Sequence, residues 1–169
     1  MYCRLKRINF LDTLDLVVPY LALGEAIVRI GCFFNGCCWG SPTHWPWAIS
    51  YPRSHHGVYA QQLRDGLIPW HAAHSLPVHP VQIYATLTLI VVFISLIYIR
   101  TLQQASGNVL LAYVTLYGFT RFLLEELRAD CPKYPPFDWS LSQIIALIMG
   151  VTALILWIIR TKGKLLAES

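Results

Sequence analysis

Four apolar runs, each about as long as a bilayer is thick, restrict this chain to very few architectures. They cover roughly residues 16–34, 78–99, 108–127 and 141–159. A helix needs about 20 apolar residues to cross the hydrocarbon core. In lipid the backbone must satisfy its own hydrogen bonds, so runs of this kind fold as helices. Only 13% of the residues are charged and 56% are hydrophobic, whereas a soluble domain carries about 25% charged residues. Mean hydropathy is +0.49. The sequence predicts an all-α polytopic membrane protein of about four transmembrane helices. All 169 residues form a single membrane domain, with a small head over residues 37–77 between spans one and two.

The basic residues flank the apolar runs and form no patch, so the net charge of +4 does not point to nucleic acid. They report topology instead. Seven of them (Arg4, Lys6, Arg7, Arg100, Arg160, Lys162, Lys164) fall at the termini and between spans two and three. The positive-inside rule therefore predicts both termini in the cytoplasm and the head outside. Residues 1–9 read as a short basic arm with no cleavable signal peptide, and residues 129–139 as a proline-rich loop.

Within this frame, the polar residues in the apolar runs are the informative ones, because an ionisable group in hydrocarbon is costly and marks function. Span one holds Glu25 and Arg29, one turn apart with the acid first, the favourable order for a mutual pair. It leads into Asn35, Gly36 and Gly40 and three cysteines, Cys32, Cys37 and Cys38. Span two, which opens at His79-Pro80, holds Gln82 and Tyr84 near its start. Span three carries Tyr113, Tyr117, Arg121 and Glu125 at intervals of four, with Thr120 and Arg128 close to the same stripe. Such a stripe must face protein or a water-filled cavity. With the head outside, all these groups lie at a similar depth near the outer leaflet. Span four is uniformly apolar and reads as a support, started by a capping box at Ser140 and Gln143.

Arginines with glutamate partners at that depth make an anion site. The guanidinium fork donates paired hydrogen bonds to phosphate and stays charged, and a phospholipid headgroup is the anion found there. Arginine would hold the phosphodiester and stabilise charge on a leaving phosphate. Glu125 or Glu25 would orient the arginines or act as a base.

The head carries four of the six tryptophans and five of the six histidines. The tryptophans suit a membrane interface. Residues 47–51 are expected as a short strand and 59–65 as a short helix. Neither the histidines (His44, His55, His56, His71, His74) nor the cysteines show the spacing of a zinc site. No metal or other cofactor is expected, and Cys32, Cys37 and Cys38 read as small apolar filling.

Three stretches together resemble the prolipoprotein diacylglyceryl transferase family: Arg29-Ile-Gly-Cys-Phe-Phe-Asn35-Gly36-Cys-Cys-Trp-Gly40, His79-Pro80-Val-Gln82-Ile-Tyr84, and Tyr117-Gly118-Phe-Thr-Arg121-Phe-Leu-Leu-Glu125-Glu-Leu-Arg128. The resemblance implies a transferase of the bacterial plasma membrane. It would move the diacylglyceryl group of phosphatidylglycerol to the lipobox cysteine thiol of a preprolipoprotein, with loss of glycerol phosphate. By the same resemblance, Arg29, Arg121 and Glu125 are catalytic. Glu25, Asn35, Gly36, Gly40, Gln82, Tyr84, Tyr117 and Arg128 bind substrate. Cys32, Cys37 and Ala85 stand where the family's motifs have asparagine, glutamate and glutamate. The family's His-Gly-Gly motif does not occur, so the chain corresponds to a C-terminal four-span portion. Two further readings are a non-catalytic phospholipid-binding relative and a membrane thiol or metal protein.

Overall fold

Among the described residues the chain forms five helices, because its apolar runs are long and its breakers cluster between them. The structure is a computed structural model that describes residues 9–102, 105–129 and 139–167, with side chains to Thr161. The helices are α1 (Phe10–Asn35), α2 (Gly57–Arg64), α3 (Val81–Leu102), α4 (Asn108–Glu126) and α5 (Leu141–Ala167). The basic arm, apart from Asn9, and most of the proline-rich loop lie outside the described residues.

Among the described residues, three helices are long and apolar enough to cross a membrane: Phe10–Asn35, Val81–Leu102 and Leu141–Thr161. Their outward faces expose Leu21, Ile27, Val91, Ile94, Ile148 and Ile155 among many large apolar residues, a surface that water would not support. The chain is an all-α polytopic membrane protein. Helix α4, of 19 residues, is more polar than these three because it carries the tyrosine–arginine stripe. It is also the hub of the bundle. It packs along α5 and touches α1 and α3, while α1 packs along α3.

Helix α1 begins at Phe10, earlier than the apolar run, because Asn9 caps it by accepting the N–H of Leu11 at 3.1 Å. Pro19 therefore sits in the third turn, inside the helix and buried. It removes the bond to the Asp15 carbonyl. The Asp15 side chain crosses to α4, where its two oxygens accept the N–H groups of Gly107 (2.6 Å) and Leu110 (2.9 Å). That carboxylate satisfies orphan donors at the positive end of the α4 dipole. Beside it lies the core, built from Val18, Ala22, Val92, Leu96, Val109 and Ala112.

At the far end of α1, Gly36 takes a left-handed conformation (φ 67°) and closes the helix. Its carbonyl then accepts the N–H of Val58 in α2 at 3.1 Å. The expected strand over 47–51 is only a set of isolated bridges, in which Pro42 and Ile49 pair with Val78, and Pro52 with His74. Prolines on both sides deny it a continuous ladder. The expected short helix is Gly57–Arg64. Span two starts at Val81 because Val78 is spent as the buried partner of those bridges. The Pro80 carbonyl accepts Ile83 N–H at 2.9 Å at the helix start.

Candidate functional site

The three polar stretches converge on one cleft between α1, α3 and α4, at the end of the bundle that carries the head. The cleft holds about 460 Å³ of unfilled space, its mouth included, and is lined by Glu25, Arg29, Cys38, Gln82, Tyr117, Thr120, Arg121 and Arg128 among its polar residues. Val81, Ala85, Leu89 and Leu124 supply apolar wall.

The pair expected between Glu25 and Arg29 does not form. Glu25 instead accepts the Tyr113 hydroxyl at 3.3 Å through Oε1, while its Oε2 is buried without a hydrogen-bond partner. Tyr113 stacks on Tyr117 with ring centroids 5.4 Å apart, which fixes that hydroxyl against α1. Among the described residues Arg29 makes no hydrogen bond or ion pair, although it lines the cleft. Its guanidinium thus stands beside apolar wall with its hydrogen-bonding fork unused by the described residues.

Arg121 and Arg128 are held from behind. Glu125 Oε2 lies 3.1 Å from Arg121 and 3.6 Å from Arg128, and the carboxylate side chain is 1% exposed. Its Oε1 accepts the hydroxyls of Ser140 and Ser142. Glu125 is not among the residues lining the cleft and sits behind them, paired with both arginines. The reason is helical geometry: each step of four residues advances by roughly 40° beyond a full turn. The stripe that starts at Tyr117 in the cleft has therefore rotated toward α5 by Glu125. Helix α5 is accordingly more than an apolar support. The capping box is present, with Ser140 N–H donating to Gln143 Oε1 at 2.7 Å and Gln143 N–H to Ser140 Oγ at 3.2 Å. Its serines also complete the seat of Glu125. The Ser-x-Ser before the apolar run was the available signal.

Gln82 lines the cleft and is almost wholly buried. Its Nε2 donates to the Cys37 carbonyl (2.7 Å) and to the Tyr51 hydroxyl (3.3 Å), leaving Oε1 without a partner. Burial pushes the Tyr51 hydroxyl above its ordinary value of 10.0, partly offset by the Gln82 bond.

The remaining expected site residues lie elsewhere. Tyr84 accepts the Trp47 indole N–H at 2.6 Å and so ties the head to α3. Asn35 and Gly36 border a separate hollow with Tyr51, His56 and Tyr59. Gly40 donates to the His79 carbonyl at 3.0 Å and pairs with Arg128. A Cβ at Gly40 would lie 2.6 Å from both His79 Cβ and Val81 Cγ2, so only glycine lets these segments meet. These residues tie the head to the helices and do not line the cleft.

The cysteines differ from expectation. Cys32, Cys37 and Cys38 are half-buried free thiols, all with Sγ atoms within 4.8 Å of one another. Cys38 lines the cleft.

Residues 1–159 match the family model described as prolipoprotein diacylglyceryl transferase. Three curated relatives carry the name phosphatidylglycerol–prolipoprotein diacylglyceryl transferase. The one from Clostridium tetani is 34% identical over 154 residues, covering 89% of this chain and 55% of the relative. That from Finegoldia magna is 31% identical, with 92% and 54% covered. That from Clostridioides difficile is 32% identical, with 88% and 50% covered. The chain spans about half the length of these relatives.

Proposed function

The chain belongs to the prolipoprotein diacylglyceryl transferase family, and on that premise we propose that its cleft serves diacylglyceryl transfer from phosphatidylglycerol to the lipobox cysteine thiol of a preprolipoprotein. The observation that carries the proposal is Arg29, a guanidinium in the cleft without a protein partner, facing a wall that also presents Arg121 and Arg128. Three guanidiniums against Glu25 and Glu125 leave the site one positive charge in excess, which matches one phosphodiester.

In this reading Arg29 and Arg121 hold the phosphate oxygens. The acceptor sulfur attacks the glyceryl carbon, an S–C bond forms, and the C–O bond to phosphate breaks. Glycerol phosphate leaves, its added charge met by the arginines. Glu25, whose Oε2 is unengaged, takes the thiol proton. Gln82 and Tyr117 line the path of the headgroup, and the apolar wall takes the start of the acyl chains. The chain crosses the bacterial plasma membrane four times, with α4 as the third span, both termini cytoplasmic and the head and cleft toward the extracytoplasmic leaflet.

The test is a transfer assay in phosphatidylglycerol liposomes with a lipobox peptide. Thioether product with the wild-type chain, reduced ~10²–10³-fold in Arg29→Ala and Arg121→Ala with insertion intact, is the expected result. Arg29→Lys should not restore it, because lysine lacks the planar fork. Lipid binding without product would favour a phospholipid-binding relative, and transfer at the wild-type rate in either alanine variant would overturn the site.

A further inference from the structure

Three cysteines separated by four residues and by none are gathered at one point by two local features. Cys32 ends the next-to-last turn of α1, and the left-handed Gly36 reverses the chain directly after that helix. The Cys37 thiol then folds back on the Cys32 carbonyl at 3.6 Å. Cys38 is the only non-glycine residue with a left-handed backbone among the described residues (φ 59°). That conformation costs about 1–2 kcal/mol and persists where the surroundings demand it. Here it accompanies the placement of a third sulfur within 4.8 Å of the other two.

We propose that Cys32, Cys37 and Cys38 form a trithiolate site for a thiophilic divalent cation of the zinc class, with its fourth position open toward the cleft. Sulfurs bound to zinc at about 2.3 Å in a tetrahedron stand roughly 3.8 Å apart. The observed spacing, within 4.8 Å, is about 1 Å from that geometry. Three protein ligands and one vacant position is the arrangement of a catalytic rather than a structural zinc centre. Cys38, alone of the three, lines the same cleft as Arg29 and Glu25.

The ligand suited to the vacant position is another thiol. This part rests on the transfer reading above, in which a cysteine sulfur is the nucleophile. On coordination the acceptor's S–H bond breaks, an S–metal bond forms, and the proton passes to Glu25. Metal binding deprotonates a thiol outright, so the acceptor arrives as thiolate beside the phosphodiester site. No electron is exchanged.

The test uses the full chain in detergent micelles, reduced and free of oxygen, titrated with Co²⁺ as an absorbing probe of a zinc-class site. One equivalent should bind with intense sulfur-to-cobalt charge-transfer absorption and be displaced by Zn²⁺. The signal should be lost in Cys37→Ser and Cys38→Ala, each checked for helicity, and retained in Arg29→Ala. Retention there separates this site from the anion site, so failed lipid transfer leaves the outcome readable. Adding a lipobox peptide should shift the cobalt bands, whereas the same peptide with serine for cysteine should not. Absence of stoichiometric binding, binding unchanged in both cysteine variants, or a disulfide among the three under native purification would overturn the site. A cobalt spectrum indifferent to the peptide thiol would overturn its open fourth position.

Discussion

Glu125 and Arg121, one helical turn apart and 3.1 Å from each other, form an ion pair in which the acid is 1% exposed and the base 23%. The acid is anchored on its other side by Ser140 and Ser142. Removing one member of such a pair strands the other. Glu125→Ala should destabilise the protein by about 3–5 kcal/mol. Glu125→Gln keeps an acceptor for the serines and loses only the charge, so it should melt closer to wild type while still impairing transfer. Thermal unfolding in detergent, run beside the transfer assay, separates the two.

The Asp15 carboxylate caps a helix whose first residue lies more than ninety positions away in sequence. Asp15→Ala should cost about 1 kcal/mol, within the range of lost N-caps, plus the dipole contribution. Asp15→Asn should recover part of it by accepting one N–H. The readout is the melting temperature, with phospholipid binding at the distant cleft unchanged.

Helices α4 and α5 meet at Gly118 and Gly150. A Cβ at Gly118 would stand 2.6 Å from the Ala146 carbonyl oxygen and 3.1 Å from Gly150 Cα. Both are backbone and cannot rotate away. Gly118→Ala should destabilise by about 1–3 kcal/mol. Because α5 brings Ser140 and Ser142 to Glu125, it should also lower transfer, whereas Gly31→Ala, where a Cβ meets open space, should preserve the fold.

Tyr51 offers a pH test in the head. Burial raises its pKa above 10.0, so the unfolded chain ionises first. The stability this provides is complete below pH 10 and is lost as the pH rises through the raised value. Tyr51→Phe removes the titrating group and should flatten the fall in melting temperature above pH 10. An identical alkaline profile in both proteins would show that the hydroxyl is free.

Much of this was legible in sequence because apolar length and polar intrusion carry direct physical meaning in a bilayer. Arg29, Gln82 and Arg121 were each costly where they stood, and all three line the same cleft. The orienting role of Glu125 toward the arginines was legible, but its seat against α5 was not, because spacing by four looks like one face and drifts by roughly 40° at each step. Nor was the partner of Glu25, since Tyr113 on another helix outcompetes Arg29 on the same one. The capping role of Asp15 was not legible either, because its partners are backbone N–H groups, which no side-chain pattern reveals. The gathering of the cysteines depends on the Gly36 turn and the Cys38 backbone, and neither has a spacing signature.

The glycine seat at the end of α1 has a mechanical consequence. Gly36 accepts the N–H of Val58, Gly40 donates to His79, Ser41 donates to the Leu127 carbonyl, and Ile49 and Val78 exchange two bonds. These stitches reach α2, the lead-in to α3 and the end of α4. Each is worth about 1 kcal/mol net, and lifting the head means breaking them together. The head is therefore a keystone rather than a flap, tied at once to the end of α1, the lead-in to α3 and the end of α4, the three helices that border the cleft.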